Sequence, residues 1–96
     1  MEQSKSNFGQ TLSRGSVIQL LVSSIQHNKV PFGRQLALKW LGSFSGDLVI
    51  QLHLARIYIL EKKYNLASDL IKKVLSIDPE YQEAYDVLSA ITEIEE

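Results

Sequence analysis

A chain of 96 residues, 45% apolar and 22% charged with a net charge of −1, has the make-up of one small soluble globular domain. With no cysteine it excludes disulfides and thiolate chemistry, and no run approaches the roughly 18 apolar residues of a membrane span. The polar start, residues 1–7, carries no apolar signal-peptide core, so the cytoplasm is the expected compartment.

Residues 1–15 are rich in Ser, Gln, Asn and Gly, and are expected to form a flexible tail ahead of a helical domain over 16–96. Ser16 opens the first helix. With Gln19 three residues on it fits a capping box, and Val17, Ile18, Leu20, Leu21, Val22 and Ile25 follow at helical spacing. His27 and Asn28 suit its end, where histidine favours the negative pole of the helix dipole and asparagine accepts a left-handed backbone. Pro31 fits the first position of a second helix, whose buried face is Leu36, Ala37, Trp40, Leu41 and Phe44. Gly33 inside it costs about 1 kcal/mol relative to alanine. A loop over 43–46 leads to Asp47, which caps the third helix.

From Leu48 to Leu60 the chain is apolar almost all round, broken by Gln51, His53 and Arg56, and a helix of that kind is contacted on several faces. Tyr64 to Ile77 is a cleaner amphipath. Leu66, Ala67, Leu70, Ile71, Val74 and Leu75 form one stripe, with Asp69, Lys72, Lys73 and Ser76 opposite, and Pro79 ends the helix near Ile77. A last helix lines up Tyr81, Ala84, Tyr85, Leu88, Ile91 and Glu95 along one stripe, leaving Val87 and Ile94 off it.

The residues over 48–81 resemble the tetratricopeptide repeat (TPR) family. Its repeat of about 34 residues sets a leucine and a small residue, a tyrosine, a second small residue, an apolar residue and a closing proline at fixed separations. Leu54-Ala55, Tyr58, Ala67, Ile71 and Pro79 stand at those separations, with Gln51 in place of the tryptophan and Val74 in place of the final small residue. One repeat length earlier lies a divergent copy, with Leu20 matching Leu54 and Gly33 matching Ala67. One repeat length later, Tyr85, Leu88-Ser89 and Thr92 match Gln51, Leu54-Ala55 and Tyr58. The resemblance implies an all-α fold, with antiparallel helical hairpins stacked as a short TPR-like solenoid of about five helices. The last helix is then either a polar-faced cap or the first helix of a further unit.

The same resemblance implies a protein–protein interaction scaffold, with the first helix of each repeat lining a concave face. By register that face holds Ile18, Val22 and Ile25, then Val49, Leu52, Arg56, Ile59 and Leu60, then Glu83, Asp86 and Glu93. An apolar floor with one arginine and an acidic end suits a peptide or helix of a partner protein, basic residues included. On that reading Leu52→Glu abolishes partner binding and leaves the helices intact. The carboxylate clamp known in this family needs lysine, asparagine and arginine on the groove side. Of Ile18, Val22, Leu52, Arg56, Asp86 and Ala90, which occupy those places, only Arg56 has that chemistry.

Three alternatives stand beside the groove. The aliphatics can be core in a tighter bundle. Two copies can bury these faces against each other, making the chain a self-association domain or a segment of a larger protein. It can also be a docking domain of an enzyme whose catalytic part lies elsewhere. Residues 1–46 carry five bases against one acid, while 77–96 carry seven acids and no base, a polarity that would favour head-to-tail homo-oligomers.

No nucleophile elbow, glycine-rich phosphate loop or metal-ligand cluster is present, so neither enzyme activity nor a cofactor is expected. His27 and His53 have no partner at ligand spacing and are expected on the surface, Trp40 in the core, and Lys62-Lys63 and Lys72-Lys73 on solvated helix faces. A net charge near zero argues against nucleic acid as a partner.

Overall fold

Five α-helices follow one another through residues 12–95, the part of the chain that the computed structural model describes, with no strand among the described residues. They are α1 (Arg14–Gln26), α2 (Val30–Ser43), α3 (Leu48–Leu60), α4 (Tyr64–Ile77) and α5 (Gln82–Glu95). The all-α class and the stacked antiparallel hairpins expected from the sequence are what the chain adopts: α1 packs on α2, α2 on α3, α3 on α4 and α4 on α5. None of these helices is long and apolar enough to cross a membrane.

α1 starts earlier than its sequence indicates. Ser13, not Ser16, is the cap, and its Oγ accepts the Ser16 amide at 3.1 Å. Arg14 and Gly15, assigned by composition to a tail, are therefore helical, and residues 1–11 of that tail lie outside the described residues. The other ends fall where the local chemistry puts them. Asn28 takes the left-handed backbone that stops α1, with φ 58. Asp47 caps α3 by accepting the Ile50 amide, and α4 stops at Ile77 ahead of Pro79.

The two hairpin turns are copies of each other. Lys62, one repeat length after Asn28, also lies in the left-handed region, with φ 63. The amides of His27, Asn28 and Lys29 bond to Ser23, Ile25 and Ser24, and those of Glu61, Lys62 and Lys63 bond to Ile57, Ile59 and Tyr58 in the same pattern. Backbone geometry thus repeats where side chains do not, because the turn needs only one residue able to stand a positive φ.

α3 is central and touches all four other helices. Its apolar circumference serves two cores. Ile50, Leu54 and Ile57 face Val17 and Leu21 of α1 and Val30, Ala37 and Trp40 of α2. Leu52 and Ala55 face Ala67, Ile71 and Val74 of α4 and Ala84, Val87 and Ile91 of α5. Gln51, standing where the repeat pattern has tryptophan, is buried and donates from Nε2 to the Ser45 carbonyl at 2.7 Å, tying the α2–α3 loop to α3.

Three side chains depart from the expected packing. Val87 is 6% exposed and belongs to the second core, so α5 buries Ala84, Val87 and Ile91, while Tyr85 is 42% exposed. The Tyr85 hydroxyl instead donates to the Pro79 carbonyl at 2.8 Å. Phe44 is largely exposed, although its ring leans on Trp40 with centroids 4.5 Å apart.

Candidate functional site

The odd-numbered helices lie side by side, with α3 against both α1 and α5. Between them opens a groove of about 360 Å³, lined by Ile25 of α1, Arg56, Ile59 and Leu60 of α3, and Asp86, Val87 and Ala90 of α5. Arg56, Ile59 and Leu60 share one side of α3 because they stand three and four residues apart. Asp86 and Ala90 are likewise one turn apart on α5. Ala90 leaves open the volume that a larger side chain would fill.

Five of the eleven residues expected on the concave face line this groove: Ile25, Arg56, Ile59, Leu60 and Asp86. Ile18 and Val49 are half-buried, Val22, Glu83 and Glu93 are exposed, and none of these five borders it. Leu52 is a correction. It is 2% exposed and packed in the second core, so it offers nothing to a partner. The surface stripe of α3 runs through Val49, His53, Arg56 and Leu60, a step of four residues and not three after Val49.

His53, not Leu52, lies on that stripe, and it is half-buried where the surface was expected. Its Nδ1 is buried with no hydrogen-bond partner among the described residues. Burial pushes the imidazole pKa down and the charge of Arg56 adds to this, against the opposing pull of Glu83 and Asp47. Val87 lines the groove although the sequence reading left it off the concave face, and Ala90, which that reading placed on the groove side, lines it too.

Charge in the groove is one-sided. α5 exposes Glu83, Asp86 and Glu93 and carries no base. Asp86 accepts a hydrogen bond from Gln82 at 3.3 Å. Arg56 is half-buried and forms no ion pair with another described residue. Tyr81, close to both Arg56 and Glu83, has its hydroxyl pKa raised, by burial first and by Glu83 next. A second hollow of about 330 Å³ lies on the outer side of α5 between Tyr85, Leu88, Ser89, Thr92 and Glu93. One repeat length earlier, Gln51, Leu54 and Ala55 are buried and Tyr58 half-buried.

Among the described residues no group of His, Asp and Glu side chains is placed to hold a metal ion. Comparison with protein families, curated proteins and solved structures found no match to this chain.

Proposed function

We propose that the chain is a TPR-like protein–protein interaction module that takes an apolar or amphipathic segment of another protein into the groove between α1, α3 and α5. The observation that carries this reading is the lining itself. Three helices that alternate in sequence each contribute side chains to one mostly apolar depression, and the intervening helices α2 and α4 contribute none. The family reading draws support from the paired turn geometry of Asn28 and Lys62, and from Ala55 and Ala67, both fully buried. A segment bound in so small a groove would bury less than the roughly 1,200 Å² of a standard interface, so micromolar affinity is expected.

Peptides selected from a display library on the wild-type chain test this. Ala90→Trp fills the groove from an exposed position and Leu60→Glu places a charge on a residue 49% exposed, so neither disturbs the core. Both variants should weaken the selected peptides by about tenfold or more, the effect of roughly 1.4 kcal/mol, with circular dichroism and thermal unfolding unchanged. Leu66→Glu, on a residue of α4 that is 50% exposed and away from the groove, should bind them as the wild type does. Full binding by Ala90→Trp, or equal loss in Leu66→Glu, would overturn the reading.

A further inference from the structure

Within that groove, on which this inference rests, the two long walls differ in charge, and the difference specifies what the occupant must carry. On α5, Glu83, Asp86, Ala90 and Glu93 stand at steps of three, four and three residues, which puts them on one stripe of the helix. Asp86 and Ala90 of that stripe border the groove, and Glu83 and Glu93 continue the stripe beyond it at either end, Glu93 at the boundary with the outer hollow. This acidic edge is about 15 Å long at 1.5 Å per residue. No base on α5 neutralises it, and none of its carboxylates is in a salt bridge with another described residue.

The opposite side is close to neutral. α1 has no charged residue between Gly15 and Gln26, and α3 offers Arg56 as its only formal charge between Leu48 and Leu60. His53, beside Arg56 and facing Glu83 and Asp47, is held toward its neutral form by burial. An acidic segment would meet like charge along the whole α5 edge and find one cation. An uncharged segment would leave the edge unpaired.

We infer that the groove selects a basic amphipathic helix, with aliphatic side chains on the Ile25, Ile59, Leu60 and Val87 floor and lysines or arginines along the Glu83–Asp86–Glu93 edge. Bases at helical spacing on such a segment repeat at the same interval as the acids on α5 when the two run alongside each other. Arg56, on the far side, donates to a carboxylate or a backbone carbonyl of the segment and so fixes its direction. The carboxylates are exposed, so their contribution is chiefly to selectivity and association rate, and it weakens with salt.

Two fluorescein-labelled synthetic helices of about 18 residues, long enough to span the edge, provide the probes. They share one leucine–isoleucine stripe, and the flank is lysine in one and glutamate in the other. Anisotropy titrations at low and high salt are run on the wild type and on a Glu83→Lys, Asp86→Lys double variant, whose sites are exposed and whose helicity is checked by circular dichroism. The lysine probe should bind the wild type at least about tenfold more tightly than the glutamate probe at low salt. That preference should shrink at high salt and reverse in the double variant.

Equal binding of both probes, lost in Ala90→Trp, would overturn the basic partner and leave the groove standing. A lysine preference unchanged in the double variant would place the probe elsewhere and overturn it as well. If neither probe binds, the groove reading fails and takes this inference with it. The same holds if light scattering shows a dimer that excludes both probes, in which case a second copy fills the groove.

Discussion

Arg14, in the first turn of α1, holds Asp47, the residue that caps α3, by two hydrogen bonds of 2.8 and 3.0 Å. The same carboxylate accepts the Trp40 indole at 2.9 Å and the Ile50 amide at 3.4 Å. One side chain therefore joins three helices. Asp47→Ala should cost about 2–3 kcal/mol in urea unfolding, combining a lost cap with the loss of the hydrogen bonds from Trp40 and Arg14. Arg14→Ala, which removes a half-exposed partner, should cost under about 1 kcal/mol.

The hydrogen bond from Arg14 is the main reason the Asp47 pKa lies below the usual carboxylate range, with Trp40 and Ile50 adding to it against burial. The folded chain then binds this proton more weakly than the unfolded chain. The contribution is full above the unfolded carboxylate value near pH 4 and is lost as pH falls through the lower folded value. Asp47→Asn should flatten the acid limb of a stability–pH curve below about pH 4. An acid limb as steep as the wild type's would show that other carboxylates dominate it.

Gly33 is required by Ser24. A Cβ at position 33 would overlap the Ser24 hydroxyl and come within 3.1 Å of both the Ser24 Cβ and the Ile57 Cδ1. Gly33→Ala should therefore destabilise the chain by about 1–3 kcal/mol, although alanine is the better helix former. Ser24→Ala removes the colliding oxygen, so the cost of Gly33→Ala should fall in that background. A double-mutant cycle in thermal unfolding measures the coupling, and additive effects would rule the contact out.

His53 has its pKa lowered by burial and by Arg56, with Glu83 and Asp47 pulling the other way. Protonation then favours the unfolded chain. The stability is full above the ordinary histidine value near 6.5 and is lost as pH falls from there toward the lower folded value. Between about pH 7.5 and 5.5 the wild type should lose more stability than His53→Gln, as read from urea midpoints. Parallel loss in the two proteins would remove His53 from the account.

Leu52 and Leu60 separate core from groove on one helix. Leu52→Glu buries an unpaired carboxylate in the second core and should cost more than about 4 kcal/mol, a large part of the roughly 5–10 kcal/mol expected for a chain of this length. The variant should lose its helical circular dichroism, contrary to the expectation from sequence. Leu60→Glu should retain it. A folded Leu52→Glu would mean that the second core can open at α3.

Local chemistry made the helix ends legible in the sequence: Asp47 as a cap, Asn28 as a left-handed stop, Pro79 as a barrier. The start of α1 was not, because Ser13 and Ser16 are equally good caps and the choice goes with a pairing of Arg14 to a residue on another helix. In the C-terminal half of α3, Arg56, Ile59 and Leu60, placed on the concave face by register, border the depression. In the N-terminal half Leu52 is core and His53 half-buried, contrary to the reading, because a helix apolar nearly all round has no phase to read. On α5 the stripe expected from the sequence holds at Tyr81, Ala84, Leu88 and Ile91, but Val87 joins it in place of Tyr85, whose hydroxyl is satisfied from outside through Pro79.

Because α3 lies between both cores and touches every other helix, the serial order of the hairpins does not make them independent. Neither outer pair has a complete core without α3. Most packing joins neighbours in the chain, so the search for the native state is short and folding should be fast. Substitutions in α3 should mainly slow refolding, while those in α1 or α5 should mainly hasten unfolding. A molecule assembled from repeats would then melt in a single cooperative step, with its kinetic nucleus at the middle helix.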